Sequence, residues 1–169
     1  MEYLIIDGYN IINAWPELAG IAKESLENAR WKLLEMIANY QGYKKNKVII
    51  VFDGHLVKGN LEKKEVYGEV EVIYTKEHET ADNYIERLVH EIGRNKQVRV
   101  ATSDFLEQTI ILSKGATRVS ANELRDEVKL TQKNMKKQYL QPTIKNHTIG
   151  SRLEGDTLKA LEKLRRQKF

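Results

Sequence analysis

The sequence predicts an α/β fold built on a mainly parallel central sheet. Three observations carry that expectation. Strand-like and helix-like stretches alternate along the chain. The two strongest strand signals, Tyr3-Leu4-Ile5-Ile6 and Val48-Ile49-Ile50-Val51-Phe52, are continuously apolar, as in strands covered on both faces. About 40 residues separate them, ample for the right-handed crossover that joins parallel strands.

Each element has its own signal. The first strand ends at Asp7-Gly8. Residues 25–41 place Leu26, Ala29, Leu33, Ile37 and Tyr40 on one helical face. The second strand ends at Asp53-Gly54, and the polar residues 55–68 read as a loop. Val70, Val72 and Tyr74 alternate with Glu71 and Ile73, which predicts a third, more exposed strand. Ala81, Ile85, Leu88 and Ile92 predict a helix over about 80–93 with Gly93 as its stop. Val98-Arg99-Val100-Ala101 is a fourth strand, followed by a helix over about 104–114 closed by Gly115. Arg118-Val119 is a short fifth strand. Ser120 and Glu123 form a capping box that opens a helix carrying Leu124, Val128, Thr131, Met135 and Tyr139 on one face. Pro142 interrupts it, residues 143–155 read as a linker, and a last short helix spans about 156–168. The predicted division is a domain over 1–140 and a basic, helical C-terminal extension over 141–169.

Composition narrows the function. The chain has 169 residues, of which 41% are hydrophobic and 31% charged, enough apolar residues for a sizeable core. The absence of cysteine excludes disulfides, thiolate metal sites and cysteine nucleophiles. No apolar run reaches the ~20 residues of a membrane span, and Met1–Asn10 does not read as a signal peptide. A soluble, cytoplasmic protein is expected. The net charge of +4 is unevenly spread. Residues 1–128 hold 17 basic and 21 acidic side chains, whereas residues 129–169 hold 11 and 3. The basic segment suits a polyanionic partner such as nucleic acid.

The acids carry the chemistry. Asp7 and Asp53 each end a strand, and Asp104 follows the fourth within Ala101-Thr102-Ser103-Asp104. The carboxyl ends of parallel strands face one crevice, where ligands of α/β folds bind. Asp82, at a helix start, points toward the same crevice in this reading. Converging carboxylates repel one another unless they hold a hard cation such as Mg²⁺ or Mn²⁺, with Asn10 as a neutral oxygen donor. Such a cation activates water against a phosphodiester. Each acid also has a plainer role: Asp104 and Asp82 as helix-start acids, Asp7-Gly8 and Asp53-Gly54 as turns. Tyr9 stands where a haloacid-dehalogenase phosphatase needs its second Asp, and no phosphate-binding glycine loop is present. The four histidines lack metal-ligand spacing.

Four segments, Ile5–Ile12 with Asp7-Gly8-Tyr9-Asn10, Val51–Gly54, Thr80–Ile85 and Thr102–Asp104, resemble those of a NYN domain, a PIN-like nuclease, in the expected order. Within that family the segments resemble the YacP-type bacterial group, whose members are similar to a ribosome-associated endoribonuclease that cuts mRNA during translation. The resemblance covers about residues 1–140. It implies a PIN-like three-layer α/β/α sandwich and metal-dependent RNA hydrolysis. It also implies that Asp7, Asp53, Asp82 and Asp104 form the acidic, metal-binding pocket, supported by Asn10. Thr102 or Ser103 either holds a water or phosphate or caps the next helix.

Several cations are candidates for gripping RNA or the ribosome through phosphates. His55, Lys58, Lys63 and Lys64 lie in the loop leaving Asp53. Lys133, Lys136, Lys137, Arg152, Lys159, Lys163, Arg165 and Arg166 lie in the basic segment. Trp15 either stacks a base or packs in the core. The expected partners are mRNA and the ribosome, and no membrane. The alternatives are a non-catalytic RNA- or ribosome-binding adaptor and a toxin-like or tRNA-directed nuclease on the same scaffold.

Overall fold

In the computed structural model, residues 1–55, 58–104, 109, 111–112 and 114–140 are described. The strands are β1 (Glu2–Asp7), β2 (Lys47–Phe52), β3 (Lys63–Tyr67), β4 (Val70–Tyr74), β5 (Gln97–Ala101) and β6 (Thr117–Val119). The helices are α1 (Gly8–Ala14), α2 (Pro16–Glu24), α3 (Leu26–Lys44), α4 (Ala81–Ile92) and α5 (Ala121–Leu140). The strands form one sheet in the order β3-β4-β2-β1-β5-β6. All pairs are parallel except β3 with β4.

The continuous apolar runs work because consecutive strand side chains face opposite layers. Leu4, Ile6, Val48 and Ile50 face a core shared with α1, α2, α3 and the start of α5. Ile5, Ile49, Val51 and Val100 face the other core, with Ile85 and Val89 of α4. The result is the expected three-layer α/β/α arrangement. The chain divides into two compact units, Met1–Gln132 and Lys133–Phe169. The sheet, both cores and Asp7, Asp53, Asp82 and Asp104 lie in the first unit; the described part of the second, residues 133–140, is helical.

Helix ends follow cap chemistry. Ser25 Oγ accepts from the Asn28 N–H at 3.2 Å and opens α3. Thr80 Oγ1 accepts from the Asn83 N–H at 3.2 Å and opens α4. The capping box at α5 closes both ways: Ser120 Oγ accepts from the Glu123 N–H at 3.1 Å, and Glu123 Oε2 accepts from the Ser120 N–H at 3.3 Å.

Three expectations change. The segment 55–68 is not all loop, because Lys63–Tyr67 form β3. All five of its residues are exposed. Such an edge strand carries no apolar alternation and forms by pairing with β4 across the turn at Gly68 (φ 62°). β4 is not a more exposed strand: Val70, Val72 and Ile73 are buried, because β2 and β3 flank it. At the start of α3, Leu26 is exposed rather than part of the buried face. The helix expected over 104–114 and the linker and helix expected beyond 142 fall largely or wholly outside the described residues.

Candidate active site

β1 sits at the centre of the sheet, and the chain crosses from its β2 side to its β5 side after β4. The strand order therefore reverses at β1, the position where α/β sheets open a crevice at their carboxyl ends. Asp7 ends β1 there, in register with Val51 of β2. Asp53 lies two residues beyond Val51. On the other side, Ile6 pairs with Ala101, and Asp104 follows three residues later. Register and topology thus bring Asp7, Asp53 and Asp104 to one edge of three adjacent strands.

Local structure fixes each of them. Asp7 is buried, at 7% exposure, and stands at the N-cap of α1, whose amide end favours negative charge. Asn10, one turn into α1, accepts hydrogen bonds at Oδ1 from both the backbone N–H and the hydroxyl of Ser103. This clasp joins α1 to the loop after β5. The fully buried Thr102 accepts at Oγ1 from the Asp104 N–H at 3.1 Å, so its hydroxyl shapes the Asp104 turn. The Asp53 carboxylate accepts from the His55 N–H at 2.9 Å and contacts His55 Nδ1. His55 therefore partners an acid of the edge.

Both glycines that follow strand-end acids are required by space. A Cβ on Gly8 would come within 2.4 Å of the Phe52 ring. A Cβ on Gly54 would come within 2.5 Å of the Thr75 carbonyl oxygen. The buried Thr75 also accepts at Oγ1 from the Gly54 N–H at 2.8 Å, and its carbonyl accepts from Asn60 Nδ2 at 2.8 Å.

Asp82 is exposed in the first turn of α4. Among the described residues, no three His, Asp or Glu side chains stand close enough to hold a metal together. The four-carboxylate metal pocket of Asp7, Asp53, Asp82 and Asp104 is thus not assembled as a closed ligand cage. The donor chemistry still fits a hard cation, since every candidate ligand is an oxygen. Mg²⁺ in particular is commonly held by one or two carboxylates, with water and substrate phosphate completing its shell.

The candidate cations scatter. Lys58 and Lys64 are exposed, and Lys63 pairs with Glu65 at 2.7 Å. Lys133, Lys136 and Lys137 are exposed on the last turns of α5. Arg152, Lys159, Lys163, Arg165 and Arg166 lie outside the described residues. Trp15 does not stack a base: it is fully buried, and its Nε1 donates to the Ala121 carbonyl at 2.8 Å.

A cavity of about 780 Å³ adjoins Asp53. Its lining includes Tyr9, Arg30, Trp31, Asp53, Tyr67 and Tyr74. Tyr9 and Phe52 pack at 5.0 Å between ring centres, and Phe52 stacks on Tyr74 at 5.4 Å. Burial, then the Glu65 charge, pushes the Tyr74 hydroxyl above its ordinary pKa of 10.0, so it remains a neutral hydrogen-bonding group. Sequence patterning does not reveal this cleft. Its one local signal is Trp31, a large aromatic on the polar side of an amphipathic helix.

The comparisons agree with this architecture. The profile of the YacP-like NYN domain matches residues 4–166. The chain is 45% identical over 167 residues to "Uncharacterized protein YacP" of Bacillus subtilis (strain 168), covering 98% of both chains. The crystal structure of Rae1 (YacP) from Bacillus subtilis matches with a TM-score of 0.74 and 45% identity, over 98% of this chain and 95% of that one. A Trp-to-Leu variant of the same protein matches with a TM-score of 0.75 and 40% identity, over 99% and 97%. With the family profile matching residues 4–166 and 45% identity to a member over almost its full length, the chain belongs to the YacP-like NYN domain family.

Proposed function

We propose that the protein is a metal-dependent endoribonuclease that cleaves mRNA on translating ribosomes, in the cytoplasm. The observation that carries the proposal is the placement of Asp7, Asp53 and Asp104 on three adjacent strand ends where the sheet order reverses. Membership of a nuclease-type domain family supports it. Among the described residues, no helix is long and apolar enough to cross a membrane.

Asp7 and Asp53, on neighbouring strands, would hold Mg²⁺ or Mn²⁺. Such a cation, when bound, supplies Lewis-acid stabilisation of the scissile phosphate and a more acidic water. The other roles belong to the chain. The α1 amide end and the Asn10–Ser103 clasp keep the edge in place around the phosphodiester. Asp104, held by the Thr102 turn, and Asp82, at the mouth of α4, add negative charge that attracts a cation and repels unscreened RNA. Free RNA is then a poor substrate, and docking on the ribosome supplies the positioning.

The test is a purified translation reaction with a reporter mRNA. Wild type gives discrete cuts that require active translation, stop on chelation and return with Mg²⁺ or Mn²⁺. Asp7→Asn gives none, and Asp82→Asn, which removes only attracting charge, cuts more weakly than wild type. The tie between Asp53 and His55, with no three-acid group among the described residues, favours a second reading: an RNA- or ribosome-binding adaptor. Intact mRNA in every lane, with the protein still sedimenting with ribosomes, would establish the adaptor instead.

A further inference from the structure

The cleft between α3 and the β3–β4 hairpin has no assigned role, although it opens beside Asp53. We propose that it is a subsite for a single unstacked RNA base, with Trp31 as the stacking platform and Tyr67 as its support. This inference rests on the nuclease reading and identifies where the substrate strand lies.

Three features point to a base. First, Trp31 is 54% exposed, unusual for a tryptophan, and its ring meets Tyr67 edge-on at 5.8 Å and 71°. An edge contact orients the indole while leaving ring surface for a flat ligand. Second, the charge of the lining suits a base better than a run of phosphates. Arg30 and Lys63 stand against Glu27, Asp53 and Glu65. With Asp53 assigned to the cation, the rest of the lining has no net positive charge to gather a phosphate backbone, whereas the Glu27 carboxylate and the side chain of Asn60 can pair with the edge of a base. Third, the cleft is mechanically joined to the acids. Arg30 donates from Nη1 to the Tyr9 hydroxyl at 2.8 Å, and Tyr9 follows Asp7 by two residues. A base seated on Trp31 would therefore place its own strand alongside the acidic edge. The cavity volume lies within the ~300–1,000 Å³ typical of small-ligand sites.

The chain reports this interaction itself, because its two tryptophans are Trp15, fully buried, and Trp31, exposed. Full-length Asp7→Asn protein, which would not cut, is titrated at low salt with an oligoribonucleotide of about ten residues and with an abasic strand of equal length. Intrinsic emission is followed. The base-bearing strand is expected to quench Trp31 and to bind at least ~5-fold more tightly than the abasic one. Adding Trp31→Ala or Tyr67→Ala should weaken base-bearing RNA by ~5–50-fold without changing the abasic strand, while Trp31→Phe keeps most of the affinity. Equal binding of the two strands, or saturation without quenching, overturns the subsite; a cleft built for a protein segment would give that result.

Cleavage separates the two ideas. If Asp7-dependent cuts on the ribosome proceed at an unchanged rate in Trp31→Ala, the subsite fails and the nuclease stands. If the base-dependent quench is present but wild type cuts nothing, the subsite stands and the nuclease reading fails.

Discussion

Gly8 has no space for a side chain, and that fact links the first acid to the core. Its Cβ would strike the Phe52 ring, which is fully buried and packs on Tyr9 and Tyr74. Gly8→Ala is expected to destabilise the protein by ~1–3 kcal/mol, read as a lower denaturant midpoint with an unchanged slope. Trp15 offers a second test at this scale. Trp15→Phe keeps most of the apolar volume but removes the indole donor from the Ala121 carbonyl, at an expected cost of ~1 kcal/mol in the same measurement. Both changes act far more on stability than on chemistry. Asp7→Asn should do the reverse: the fold survives, while cleavage falls by on the order of 100-fold or more, since the proposed mechanism has this charge hold a cation.

Glu127 is where elements are tied together. From α5 it accepts from the Tyr40 hydroxyl of α3 at 2.9 Å and makes a two-point pair with Arg99 of β5. Arg99 also donates to Glu2 of β1 at 3.2 Å. Burial raises the Glu127 pKa, but the bonds from Arg99 and Tyr40 and the Arg99 charge outweigh it, leaving the carboxyl below its ordinary 4.5. The folded state therefore binds this proton less readily than the unfolded chain. Its stabilisation is fully present above pH ~4.5 and is lost as pH falls through the lowered folded value. Glu17 behaves alike, held down first by its hydrogen bond from Arg125 on α5. Glu127→Gln is expected to cost ~1–3 kcal/mol at neutral pH and to flatten the loss of stability below pH ~4.5. Equilibrium unfolding across pH ~2–7 measures both effects. At the alkaline end, burial and then Glu127 push Tyr40 up to about 12, so its stabilising contribution is fully present below pH ~10 and is lost as pH rises through about 12.

For the whole molecule, the distribution of charge bears on the proposed partner. Residues 1–128 carry a slight excess of acids and residues 129–169 a large excess of cations. RNA affinity comes chiefly from phosphate neutralisation and weakens with salt. Binding to ribosomes should therefore depend on the basic segment and not on the acidic edge. Replacing Lys133, Lys136 and Lys137 together by Ala is expected to weaken co-sedimentation with ribosomes. The dependence of log affinity on log salt should become shallower by ~1 for each phosphate that is no longer neutralised. Asp7→Asn should leave sedimentation at wild-type strength.

Strands, caps and strand-end acids are legible along the chain alone, because those features are local. Ile5-Ile6 and Ile49-Ile50 show their burial as unbroken apolar runs, Ser120 and Glu123 lie one turn apart, and Asp7-Gly8 and Asp53-Gly54 mark the ends of strands. The remaining features exist only once the chain is folded. Trp15 is buried and bonded to a carbonyl 106 residues away, while Trp31, on the polar side of its helix, opens onto a cleft built from α3, β3 and β4 that no local pattern reveals. β3 has no apolar pattern and becomes a strand only by pairing with β4. Asp82 shares the acids' chemistry, but the start of α4 leaves it exposed. Periodicity records which face of an element is apolar; which distant residues meet that face depends on the order of strands in the sheet.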